Sequence, residues 1–199
     1  MNTENFIPVN SFIENADIDG EKVLRVLKDP SVKAVDEATY AKLANCEFHN
    51  GTVEVQVLSR LLPNAPGHAR GFIGVAFRAE ENDTSFESMY IRPTNGRCED
   101  QVRRNHSTQY FSYPDYKFDR LRKESPEVYE SYADMELNEW IKIRIEVDGE
   151  RAKLFLNDLP QPVLIVTDLK HGADNFGGIG LWAGVGTEAF FKDLKVTSR

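Results

Sequence analysis

The sequence predicts an all-β protein, an antiparallel sandwich of two sheets with one or two short helices. Three observations lead there. Apolar and polar residues alternate with period two in short runs closed by turn residues. About eight or more such runs recur at roughly ten-residue spacing, with no helical pattern alternating between them. No Ser/Gly linker, composition shift or internal repeat divides the 199 residues, so one domain spanning 1–199 is expected. A chain of this length buries roughly 70% of the surface exposed when unfolded, enough for one continuous core.

In order along the chain, "DEATYAKLANC" from Asp36 reads as a short helix or as a loop leading into a strand. "GTVEVQVLSRL" turns Val53, Val55 and Val57 one way and Glu54 and Gln56 the other. "RGFIGVAFRAE" does the same with Ile73, Val75 and Phe77 against Gly74, Ala76 and Arg78. In "FESMYIRP", Met89 and Ile91 oppose Tyr90 and Arg92, and Pro93 to Gly96 ends the run in a turn. Ser125 as cap and Pro126 at the first helical position suggest a helix in "SPEVYESYADM". Ile141, Ile143, Ile145 and Val147 share a face, and Asp148-Gly149 supplies a tight hairpin turn into a return strand with Leu154 and Leu156 inward. "QPVLIVTDL" and "GGIGLWAGVGTEAFFKDLKVTSR" complete the strands.

Composition narrows the function classes. A formal charge of −8 repels polyanions, so nucleic acid is not an expected partner. No apolar run approaches the ~20 residues a membrane span needs, and the first 26 residues lack the basic and apolar regions of a secretory signal, which predicts a cytoplasmic protein. Cys46 and Cys98 have no CxxC partner and are expected as free thiols, with a single disulfide as the alternative. The four histidines, His49, His68, His106 and His171, are scattered without zinc spacing.

The last third carries an ordered set of features: "NEWIKIRIEVDG" with Trp140, Val147 and Gly149, a return strand ending Leu156-Asn157, "GGIGL" (Gly177–Leu181), then Phe191, Asp193, Leu194 and Val196. This order resembles the end of a concanavalin A-like jelly roll, the broad group of laminin G-like domains, legume-type lectins, glucanases and 3-keto-disaccharide hydrolases. The resemblance covers about 60 residues and is specific for fold rather than function. "GFIGVAFR" and "ESMYIRPTN" resemble the central strands of the same fold. The Glu-x-Asp-x-(x)-Glu cluster of the glucanases is absent, so their double-displacement chemistry does not carry over.

In such a jelly roll, outward residues of the curved sheet line a groove. The strands expected to be central would then offer Gln56, Arg78, Tyr90, Arg92, Arg144 and Trp182 to a ligand, with Glu54 and Glu146 beside them. Aromatic rings take the apolar faces of pyranoses, while Gln and Arg meet hydroxyls, so the implied partner is an oligosaccharide, uncharged or acidic. The plainer reading makes each residue a solvated strand position. The stretch 88–114 packs Arg92, Arg97, Arg103 and Arg104 with Tyr90, Tyr110, Phe111 and Tyr113, and reads as one strand followed by a long ordered loop forming a groove wall. Glu99 and Asp100 stand ready to neutralise Arg103 and Arg104.

For catalysis the candidates are Glu54, Glu146 and His106. Glycoside hydrolysis needs two facing carboxylates, ~5 Å apart for retention or ~6.5–9.5 Å for inversion. No cofactor motif is present; calcium would need clustered oxygen ligands, and Asp83, Asp115, Asp174 and Asn175 share no spacing. The alternatives to a carbohydrate-binding or carbohydrate-processing protein are a glycoside hydrolase-like enzyme and a non-catalytic protein-interaction module. Composition and spacing say nothing of oligomeric state.

Overall fold

A computed structural model describes residues 1–199. Fourteen strands form two seven-stranded antiparallel sheets. The front sheet has the order β1 (Phe6–Val9), β4 (Tyr40–Leu43), β13 (Gly178–Ala183), β6 (Ile73–Ala79), β7 (Phe86–Ile91), β8 (Thr108–Tyr113), β9 (Glu130–Ser131). The back sheet runs β12 (Leu164–Val166), β11 (Arg151–Leu156), β10 (Ile141–Asp148), β5 (Gly51–Leu61), β14 (Thr187–Ser198), β3 (Glu21–Lys28), β2 (Ser11–Ile18). Three short helices, rather than one or two, join them: α1 (Pro93–Gly96), α2 (Gln101–Asn105) and α3 (Phe118–Glu124). None is long and apolar enough to cross a membrane.

The core is the space between the sheets. Val55 pairs in register with Ile143 on the back sheet, and Leu181, Val75, Met89 and Tyr110 line up across four strands of the front sheet, all essentially inaccessible. They belong to one cluster of 41 buried residues. At the hairpin joining β10 to β11, Asp148 pairs with Arg151 and the positive φ of 57° falls on Gly149, where the absence of a Cβ removes the strain.

The two sheets differ on their outer faces. β5 and β10 alternate buried and half-buried residues, as strands with one wet face should. By contrast β6, β7 and β13 are buried on both faces. Residues 29–39 and the segment bearing α3 lie over the front sheet: Trp182 Nε1 donates to the Glu37 carbonyl at 2.8 Å and the Phe118 amide to Asp36 Oδ2 at 2.8 Å. This cover positions the site.

Several local expectations are corrected. Residues 108–113 are a buried strand rather than a rim loop, because β8 pairs along its whole length with β7. The helix expected from Ser125 lies earlier, at 118–124, with Ser125 as its C-terminal cap; Glu127 at φ 65° breaks any continuation, and Tyr129 accepts a strand bond from the Tyr110 amide. Pairing and burial of Tyr129 outweigh the local helix signal. Within 36–46, of the two readings the sequence allows, the structure has the loop leading into a strand, β4. The hairpin β2–β3, with Asp19-Gly20 at its tip, is an element the period-two reading passed over. Both cysteines are free and half-buried.

Candidate functional site: a cationic pocket over the front sheet

The site grows from a register. Trp182, Gly74, Tyr90 and Gln109 lie side by side on β13, β6, β7 and β8, pointing away from the core. Gly74 makes the row possible: a Cβ there would meet Tyr90 Cα and Cβ at 2.5 Å. Across that gap the Tyr90 and Trp182 rings come within 4.9 Å at 31°, with Phe111 edge-on to both and Phe72 edge-on to Tyr90.

Arg92 closes β7 and Pro93 turns the chain into α1, which leaves the guanidinium in the sheet's outer layer. There it donates to Tyr90 Oη (2.8 Å), Gln109 Oε1 (2.9 Å), Glu130 Oε1 (3.0 Å) and the His106 carbonyl (2.9 Å). Glu130 also binds Arg122 through both carboxylate oxygens, with His106 Nε2 at 3.7 Å. Burial pushes the Glu130 carboxyl up, yet the Arg122 hydrogen bonds and the Arg92 and Arg122 charges hold it below its ordinary value.

Over this layer lies a cavity of about 250 Å³. Tyr90 and Trp182, 1% and 2% exposed, form its floor, while half-buried Phe72 and Phe118 form walls. Five lysines and arginines line it, Lys28, Arg70, Arg92, Arg103 and Arg122, with His68 and His106. The lining holds one carboxylate, Asp36. Burial raises Asp36 to about 6, against the Phe118 N–H and the Arg92 and Lys117 charges, which pull it down. Arg70 is depressed first by burial, then by the neighbouring charges of Arg103 and Arg92. Its Nη1 donates to the Gly67 and Ala69 carbonyls at 2.8 and 2.7 Å, and Nε and Nη2 have no protein acceptor. Arg103 reaches only Asn95 Oδ1, at 3.3–3.4 Å.

Of the expected ligand-binding residues, the structure brings Tyr90, Arg92 and Trp182 to this pocket, with His106 beside them. The expectation that all six share one groove is corrected. Gln56 and Arg144, and with them Glu54 and Glu146, leave the outer face of the back sheet, on the far side of the sandwich. There Glu54 pairs with Lys142 at 3.0 Å, and Arg144 pairs with Glu146 and lies 3.6 Å over the Phe155 ring. Arg78 faces neither surface. A φ of 53° and a register shift opposite Gly178–Gly180 turn its fully buried side chain into the loops at one end, where it donates to the carbonyls of His49, Gly149 and Gly172 and to Asn50 Oδ1. Asp83, weighed above as a calcium ligand, accepts from Tyr40 Oη and Lys42 Nζ, both at 2.8 Å, and no three His, Cys, Asp or Glu side chains cluster as metal ligands anywhere.

Sequence reasoning missed Lys28, Asp36, Arg70, Phe72, Phe118 and Arg122. Asp36, Arg70 and Phe72 come from connections and Phe118 and Arg122 from helix α3, where no periodic signal marks direction, and Lys28 ends β3, a strand the period-two reading passed over. Arg103 was discounted as self-neutralised; in the structure Asp100 Oδ1 caps α2 on the Arg103 amide, at 3.1 Å, and not its guanidinium.

No protein-family model matches the chain, and no curated protein does. Solved structures do. The carbohydrate-binding module CBM66 from Bacillus subtilis superposes with a TM-score of 0.58 at 14% identity, over 96% of this chain and 97% of that one. A protein of unknown function with a galectin-like fold, also from Bacillus subtilis, gives 0.58 at 10% identity over 99% and 92%. The β-glucanase of Bacillus licheniformis gives 0.50 at 11% over 96% and 83%. At these identities the likeness establishes the fold alone: the chain has the two-sheet jelly-roll fold seen in concanavalin A-like proteins.

Proposed function

We propose that this protein binds carbohydrate, taking one sugar unit of a glycan in the pocket over the front sheet. The observation that carries the reading is a concavity of about 250 Å³ whose walls are the half-buried rings of Phe72 and Phe118 and whose rim is set with free guanidinium donors. The volume sits just under the ~300 Å³ at which pockets for drug-sized ligands begin, which suits a single ring. Aromatic walls pack against the C–H faces of a pyranose, and the Arg donors and the Asp36 carboxylate pair with its hydroxyls. A carbohydrate-binding module among the structural neighbours supports the same reading.

Binding rather than hydrolysis fits the carboxylates. Two free ones at ~5 or ~6.5–9.5 Å are needed for glycoside cleavage, and the pocket offers Asp36 alone, because Glu130 is held by Arg92 and Arg122. Glu54 and Glu146 lie on the other sheet. A concave polar pocket rather than a flat apolar patch also favours a glycan over a protein partner.

The test is calorimetric titration of a panel of mono- and oligosaccharides into the wild type, Phe72→Ala and Phe118→Ala. Saturable binding weakened about tenfold or more in both variants supports the pocket. A sugar that binds all three proteins equally places the site elsewhere.

A further inference from the structure

We infer that the sugar unit held in this pocket is anionic, bearing a carboxylate or a sulfate ester that Arg70 and Arg103 receive. The inference rests on the carbohydrate reading above and deepens it.

The first argument is the sign of the lining. Five Lys and Arg side chains face one carboxylate in a chain whose net charge is −8, so the concentration of positive charge here opposes the field of the whole molecule. Acidic residues abound nearby but are directed elsewhere. Asp134, Glu136 and Glu139 all converge on Arg97, which is outside the pocket lining, at 2.7–3.0 Å.

The second argument is which cations remain uncompensated. Arg92 and Arg122 share the single carboxylate of Glu130, so those two charges are partly compensated inside the protein. Arg70 and Arg103 bond only to neutral oxygens, the carbonyls of Gly67 and Ala69 and the amide of Asn95. Lys28, also in the lining, donates to the Ala34 carbonyl. Like charges converging on partly desolvated space repel one another, and the depressed pKa of Arg70 records that repulsion from Arg103 and Arg92 after the effect of burial. An anion at their focus removes the repulsion and fills the free donors, and a guanidinium receives carboxylate or sulfate oxygens through two parallel N–H bonds.

The experiment is titration calorimetry on the full chain with a galacturonate trimer, a sulfated galactose oligomer and the neutral galactose homologue, at low and at physiological salt. The anionic sugar is expected to bind about tenfold or more tightly than the neutral one, the yield of one charge-assisted contact, and to weaken with salt while the neutral one does not. Whether the uronate, the sulfated sugar or both bind tightly identifies the anionic group. Arg70→Gln and Arg103→Gln should each bring the anionic sugar close to the neutral one. Arg70→Lys and Arg103→Lys, which keep the charge, should retain much of the preference, separating charge from folding, and Arg144→Gln on the back sheet should change nothing. Equal affinity for neutral and anionic sugars overturns this inference and leaves the carbohydrate reading standing. Binding of inorganic sulfate or acetate as tightly as any sugar, or of no sugar at all, overturns both.

Discussion

Arg92 and Glu130 form an ion pair of 3.0 Å with side chains only 5% and 2% exposed, directly beneath the pocket. The pair is flanked by Arg122 on one side and by Tyr90 Oη and Gln109 on the other, so the Arg92 guanidinium and the Glu130 carboxylate both have several hydrogen-bond partners. A buried pair of this kind organises what lies above it more than it stabilises the fold, since desolvation offsets much of the attraction. Removing one partner is another matter.

Glu130→Ala leaves two buried or half-buried guanidiniums facing each other. The expected loss is ~3–5 kcal/mol of stability, typical of a broken buried pair, read by urea unfolding. Acid should act in the same direction. The folded Glu130 pKa lies below its ordinary 4.5, so its stabilisation is complete above that value and is lost as pH falls through the lowered one. A flat stability profile from pH 5 down to 2, identical in Glu130→Gln, would refute the assignment.

Asp36 works with the opposite sign. Its pKa rises from 3.8 to about 6 on folding, so its contribution is fully present below 3.8 and is lost as pH rises through about 6. Asp36→Asn keeps an acceptor for the Phe118 N–H and should stabilise the protein at pH 8 by roughly 3 kcal/mol, the equivalent of a shift of about two pKa units. Affinity for an anionic sugar should rise as pH falls from 7 to 5, since Asp36 loses its charge around its pKa of about 6, while His106, its pKa lowered first by burial, gains charge later. The variant should show a shallower rise.

Gly74→Ala forces a Cβ to 2.3 Å from the Met89 carbonyl and 2.5 Å from Tyr90. Thermal melting should show ~1–3 kcal/mol of destabilisation from overpacking, with weakened sugar binding in the fraction that folds, because Tyr90 and Trp182 cannot both keep their places. Wild-type binding in a stable Gly74→Ala protein would dissociate the pocket from that floor.

Arg78 and Arg144 separate what looks equivalent in the primary structure. Arg78→Met strips hydrogen bonds from three loop carbonyls and should cost ~3 kcal/mol or more, at ~1–3 kcal/mol for each acceptor left buried and unpaired. Arg144→Gln removes a half-exposed pair with Glu146 and should cost less than ~1 kcal/mol. Chemical denaturation of the two variants distinguishes an end clip from a surface strand position.

The amino-acid sequence by itself determined the faces of several central strands. Alternation is a local property: in β5 it placed Val53, Val55 and Val57 inward, in β7 Met89 and Ile91, and the DG turn placed the β10–β11 hairpin. Only tertiary structure decided which outward face is shared. Gln56 and Tyr90 alternate by the same rule, but β5 pairs with β14, more than 120 residues later, and β7 with β8, so the two rows end on opposite sides of the sandwich. The bulge that turns Arg78 away, the loop that brings Asp36 under Phe118, and the convergence of Arg70, Arg103 and Lys28 likewise depend on chain segments far apart in sequence. Period two specifies the side of a strand a residue occupies; the partner strand, set by long-range pairing, specifies what that side faces.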